Sequence, residues 1–159
     1  NSPEDQDVRQ LARQVRERSA HLGCLLSEDL RQIVVLDEQG NSLPYSGLAL
    51  LAVQETLREF PAASIVVSDS APPRLQSQLQ RLGLQTITAG SSFTATVRAM
   101  LDSQAPLGIH ADQIWFQEGD LAADGLMLFG SVLQAMSHSD LDLSLLCERI
   151  SLIQRAPRT

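Results

Sequence analysis

The chain has 159 residues, of which 43% are hydrophobic and 19% charged, which suits one domain or one domain with a piece of a neighbour. Its net charge of −7, with twelve scattered arginines and no lysine, disfavours nucleic acid and anionic membrane as partners, because neutralising phosphate needs clustered cations. No apolar run is long enough to span a bilayer, and the acidic opening NSPEDQD is not a signal peptide. A cytoplasmic protein is therefore expected, and the non-Met start is taken as the mark of a segment from a longer chain.

Val8, Leu11, Ala12 and Val15 recur at helical spacing within residues 4–20 and predict an amphipathic helix. The apolar runs Leu22–Leu26 and Ile33–Leu36 predict strands, the second ended by the turn Asp37-Glu38-Gln39-Gly40. Residues 46–59 predict a helix with Leu48, Leu51 and Ala52 inward and Glu55 at the margin, closed by Phe60-Pro61. Ser64–Val67 reads as a strand. Pro72-Pro73 opens a helix to Leu82, with Gly83 as its natural end.

Leu84–Thr88 is the next expected strand. Ser91 or Ser92 caps a helix with Phe93, Val97, Met100 and Leu101 expected inward. Leu107–Ile109, a tight loop and Ile114–Phe116 form two more strands, and Asp124-Gly125 opens a strongly apolar helix to Met136. A last helix over about 141–153 presents Leu143, Leu146, Ile150 and Ile153, and the tail RAPRT reads as a linker. The alternation predicts an α/β fold, a three-layer α/β/α sandwich on a mostly parallel mixed sheet.

Cys24 and Cys147 make no disulfide framework and read as small core residues. The three histidines show no metal-ligand spacing, and no nucleophilic triad, GxxxxGK or HExxH is present.

The layout from Pro106 to Met136 resembles the third domain of the α-D-phosphohexomutases, the phosphoglucomutase and phosphomannomutase superfamily. Their sugar loop has the form Gly-Glu-x-Ser-Gly-His, then a strand, a turn, Asp-Gly and a helix. Here it reads Gly108-Ile109-His110-Ala111-Asp112-Gln113, keeping only the glycine. Ile109, Ala111 and Gln113 stand where the family's Glu, Ser and His do; His110 and Asp112 are shifted and expected to face solvent. Asp124-Gly125 matches the family's Asp-Gly and is taken as a helix-start device, since a carboxylate near a helix N-terminus is favourable.

Upstream, Leu22-Gly23-Cys24-Leu25-Leu26 resembles the strand before the family's metal loop, Asp-Gly-Asp-x-Asp-Arg. The loop here is Ser27-Glu28-Asp29-Leu30-Arg31-Gln32, so Ser27 and Arg31 replace two of three metal carboxylates and Asp29 keeps one. A hard divalent cation needs several oxygen anions to repay its dehydration, so the Mg of active relatives is not expected here, nor any other cofactor. Thr88-Ala89-Gly90-Ser91 matches a turn where the family places a cation facing the phosphosugar. The cation is lost, and Gly90, Ser91 and Ser92 remain as a candidate anion site at a helix N-terminus.

The resemblance implies the division 1–31 (end of the family's second domain), 32–138 (its third-domain core) and 139–159 (C-terminal helix and linker). The nucleophile-bearing and phosphate-gripping domains of the family lie outside this sequence. The expected function is a noncatalytic phosphohexomutase-like domain of a larger sugar-nucleotide protein, of the mannose-1-phosphate guanylyltransferase type, acting in assembly or regulation. The alternatives are a fragment of a divergent active mutase and a generic phospho-ligand module. Expected partners are other domains of the parent chain, or a second copy through the open apolar side of helix 141–153.

Overall fold

The computed structural model describes residues 5–117 and 122–152. The chain divides into two compact units, Asn1–Leu51 with Gly125–Thr159, and Ala52–Asp124. The fold is mixed α/β, as the alternating pattern predicts.

The first unit contains helix α1 (Asp5–Glu17), strands β1 (Gly23–Leu26) and β2 (Ile33–Leu36), the start of α2 (Tyr45–Glu59), α5 (Gly125–Ser137) and α6 (Leu143–Leu152). Strands β1 and β2 pair antiparallel, Gly23 opposite Leu36 and Leu26 opposite Ile33, as a separate two-stranded sheet. They do not join a parallel sheet, as the apolar runs alone would suggest. Six residues separate them, whereas a parallel pairing needs a crossover of about a dozen. This hairpin runs across the boundary expected at residue 31.

Helix α1 buries Ala12 and Val15 and packs on β1. Helix α5 packs on β1 and β2, with Leu128, Val132 and Ala135 buried. In α6 the side chains of Leu143, Leu146 and Ile150 are buried, so the face expected to stand open is covered; Leu145, on another side, is exposed. Ile153 and the tail RAPRT lie outside the described residues. Cys24 and Cys147 are half-buried free thiols, less enclosed than core residues. Burial pushes both up, Cys147 to about 11 with added repulsion from Asp37 and Glu38, so at neutral pH both stay protonated.

The second unit holds the rest of α2, β3 (Ile65–Ser68), α3 (Pro73–Arg81), β4 (Thr86–Ala89), α4 (Phe93–Ser103), β5 (Leu107–His110), β6 (Gln113–Phe116) and β7 (Ala122–Ala123). Its sheet has the order β4-β3-β5-β6-β7. The pairs β3–β4 and β3–β5 are parallel, and β5–β6 and β6–β7 antiparallel. Strand β3 sits at the centre of the parallel part with all four residues buried, which explains its unbroken apolar sequence.

Helix α3 starts at Pro73 as the proline pair dictates, and buries Leu75 and Leu79. Helix α4 packs across β3, β4 and β5. Its inward residues are Thr96 and Met100, whereas Phe93 and Leu101, expected inside, are 42% and 55% exposed. Met100 joins Val66, Ala89 and Ala105 in a core against which Ile87, Ala99 and Trp115 pack. Glu55, placed at a helix margin by the sequence, is buried and paired with Arg58 at 3.4 Å.

Candidate functional site

The loop of the first unit that joins β1 to β2 is closed on its own hydrogen bonds. The Ser27 hydroxyl is 5% exposed and donates to Asp29 Oδ1 at 2.6 Å, and it accepts the Gln32 amide at 3.0 Å. The Arg31 amide also donates to Asp29 Oδ1, at 3.2 Å, and the Ser27 amide donates to the Gln32 carbonyl at 3.0 Å. The Ser27 hydroxyl, the Arg31 amide and the Arg31 guanidinium together hold the Asp29 carboxyl below its usual range. The three positions matched to metal carboxylates thus hold a hydroxyl, one carboxylate and a guanidinium, with Glu28 exposed between them, a set that does not fit a hard divalent cation calling for several oxygen anions.

In the second unit, Ser68, Ala89 and His110 are the last residues of the parallel strands β3, β4 and β5. From β3 the chain crosses through α3 to β4 on one side, then through α4 to β5 on the other. The C-terminal ends of β3 and β5 therefore form a topological switch point, where ligands of open α/β sheets bind. Ser70, just beyond β3, and His110 meet there, with Ser70 Oγ 3.3 Å from His110 Nδ1. Buried Thr96 brings its Oγ1 to 3.2 Å from the same nitrogen. Ser70 Oγ also accepts the Ala111 amide at 3.1 Å and lies 2.8 Å from Ser68 Oγ. Ser68 in turn donates to the Gly90 carbonyl at 3.1 Å.

This network brings the turn at Gly90 and the loop Gly108–Gln113 into one place. His110 is thus the end of a strand and a hydrogen-bonding hub, not a free loop residue, while Asp112 is exposed as expected. Ser92, not Ser91, caps α4, its Oγ accepting the Ala95 amide at 3.2 Å. Phe93 follows the cap and places its ring 4.4 Å from Trp115 and 5.8 Å, edge-on, from His110. Trp115 Nε1 is buried with no acceptor among the described residues.

The loop's other positions serve the fold. Gly108 lies against α4: a Cβ there would overlap Met100 Sδ and stand 3.0 Å from its Cγ. Ile109 is fully buried. Ala111 turns the β5–β6 hairpin at φ +49°, and Gln113 pairs with His110 across it.

Sequence reasoning missed the hub. Ser68, Ser70, Thr96 and His110 are up to 42 positions apart, and His110 alone lies in the sugar-loop frame, at a position expected to face solvent. The signal that could have found them is their placement at or just after strand ends, with Ser and His in a parallel α/β pattern.

Comparison with known proteins gives the fold a relation. The chain superposes on a phosphoglucomutase/phosphomannomutase family protein from Burkholderia thailandensis with a TM-score of 0.73 at 16% identity, covering 90% of this chain and 32% of that one. A structure from Thermus thermophilus described as a phosphomannomutase gives 0.76 at 14% identity, covering 96% of this chain and 36% of that one. The chain therefore shares its fold with these two proteins and spans about a third of their length. No family model and no curated protein matches the sequence. No helix among the described residues is long and apolar enough to cross a membrane.

Proposed function

We propose that this chain is a noncatalytic phosphohexomutase-like domain of a larger sugar-nucleotide pathway protein, acting in assembly or regulation. The parent is a sugar-1-phosphate nucleotidyltransferase of the mannose-1-phosphate guanylyltransferase type. The observation that carries the noncatalytic part is the loop Ser27–Gln32. At the three positions where the resemblance places metal carboxylates, this loop carries Ser27, Asp29 and Arg31, and the one carboxylate among them accepts from the Ser27 hydroxyl and the Arg31 amide. The loop Gly108–Gln113 supports the same reading. Its residues fill a core, turn a hairpin or pair across strands, and it carries no carboxylate at the position of the family's Glu.

The test is calorimetric titration of the chain with Mg²⁺, mannose-1-phosphate and glucose-1-phosphate, singly and together. No heat of binding is expected. Micromolar binding of a phosphosugar that depends on Mg²⁺ would overturn the reading and favour a divergent active mutase. The parent assignment is checked separately: the gene that encodes this segment should carry a Gly-rich nucleotide-binding strand–loop–helix upstream, and its absence would remove the nucleotidyltransferase.

A further inference from the structure

A surface helix carries charged or polar side chains on its outer face, and one that is apolar all round belongs in an interior. Among the described residues, α5 is the one helix without an Asp, Glu, Arg or Lys. Its inner face buries Leu128, Val132 and Ala135, where the helix packs on β1 and β2. Its outer stripe is Leu126, Gly130, Leu133 and Ser137, spaced by four, three and four residues along one helix face. Leu126 is 47% and Leu133 46% exposed. Leu30, also exposed, belongs to the turn at the Leu126 end of the stripe, where its carbonyl holds the Gly125 amide.

Gly130 lies in the middle of this stripe, and a Cβ built on it would meet nothing within 4 Å. No packing among the described residues requires a glycine there, and glycine inside a helix costs stability relative to alanine. What it offers is a hollow into which another chain can come close. The stripe therefore holds that hollow with an apolar projection on either side, Leu126 and Leu133. A surface that carries both a projection and its hollow can meet itself across a two-fold axis, as an isologous contact requires. Charge selects the same occupant. Two chains of net charge −7 repel, and like charges come face to face unless the touching surfaces are neutral. The outer face of α5 is neutral along its whole length. We propose that α5 is the contact of a homodimer, in which the stripes of two copies cross at Gly130 and the leucines of each pack about the glycine of the other. The pairing goes beyond the noncatalytic role and does not rest on it.

Sedimentation equilibrium of the chain tests this, from about 10 μM to about 500 μM protein. A monomer–dimer equilibrium with a Kd of about 10–100 μM is expected, the affinity of a small apolar contact. Salt should tighten it, because screening weakens the repulsion between two acidic chains. Leu133→Glu sets like charges against each other and should weaken the dimer about tenfold or more, with the circular dichroism unchanged. Gly130→Ala has two effects of opposite sign, since the new methyl group favours the helix and obstructs the crossing. Its thermal midpoint at low concentration, where the chain is monomeric, should rise, while the dimer weakens severalfold. Leu145→Glu, at an exposed position of α6, should leave the dimer unchanged. A chain that stays monomeric over the whole range would overturn the proposal. So would a dimer weakened by salt, indifferent to Leu133→Glu, tightened by Gly130→Ala or dissolved by Leu145→Glu.

Discussion

The amide of Gly125 donates to the carbonyl of Leu30 at 2.7 Å, fastening the first residue of α5 to the turn that joins β1 and β2. Leu30 holds φ at +58°, a left-handed conformation that leucine adopts at a cost and that persists when its surroundings fix it. A Cβ on residue 125 would stand 2.7 Å from that carbonyl oxygen and 3.0 Å from Leu26 Cδ2. The Asp-Gly pair that opens the helix is thus also a packing requirement between α5 and the loop. Gly125→Ala should cost about 1–3 kcal/mol, the range of overpacking against groups that cannot give way. Urea unfolding measures it, and a loss under a few tenths of a kcal/mol would mean that the turn moves aside without penalty.

Gly108 poses the same question in the other unit. It is the residue of the sugar-loop frame that persists, and its neighbour is the side chain of Met100, itself fully buried. Gly108→Ala should destabilise by about 1–3 kcal/mol through this overlap. Met100→Ala alone should cost about 2–5 kcal/mol through the cavity it leaves. In the double variant the new methyl group occupies part of that cavity, so the double loss should fall short of the sum of the single ones. Additive losses in a denaturant series would show that the glycine is kept for a reason other than Met100.

The Ser27 hydroxyl ties three backbone and side-chain groups of its loop together. Ser27→Ala removes the acceptor for the Gln32 amide and the donor to Asp29. A loss of about 1–2 kcal/mol is expected, because one amide near a buried position loses its partner. The Asp29 carboxyl should move back up toward the ordinary range, since the Ser27 hydroxyl is the largest influence holding it down. Carbon NMR titration of Asp29 in the two proteins checks this, and an unmoved titration midpoint would assign the effect to Arg31 instead.

Several of these features were legible in the sequence, and others were not for physical reasons. Proline at 73 and serine at 92 act locally, so the starts of α3 and α4 followed from single residues and their neighbours. The antiparallel β1–β2 pairing is encoded by the length of a connection, not by the apolar character of the strands, and apolar character alone suggested a shared parallel sheet. Phe93 reads as a core residue by spacing, yet it lies at the first turn of α4 beside the strand ends, where His110 and Trp115 meet it from one side and solvent from the other. Met100 holds down Gly108 from eight residues away, a relation that only packing discloses. The Ser68–Ser70–His110–Thr96 hub is legible in no local window, because the sheet order brings its members together.

Glu38 links the turn after β2 to α6. Its carboxylate accepts the Ser144 amide at 3.1 Å and a short bond from the Ser144 hydroxyl, at the start of a helix whose N-terminus favours negative charge. Burial works to raise the Glu38 carboxyl, and the bonds from Ser144, with backbone and Gln39 contributions, outweigh it, so the group is held below its usual range. A carboxyl whose folded value lies below its unfolded one stabilises fully above the unfolded pKa, roughly 4.3 for glutamate. That contribution disappears as the pH falls through the lower folded value. The thermal midpoint of the wild-type chain should therefore drop from pH 5 to pH 3. In Glu38→Gln the midpoint should be lower than wild type at pH 7, and the difference between the two proteins should narrow over that acid window. A difference that stays constant from pH 7 to pH 3 would show that the Ser144 bonds count for their geometry and not for the charge of Glu38.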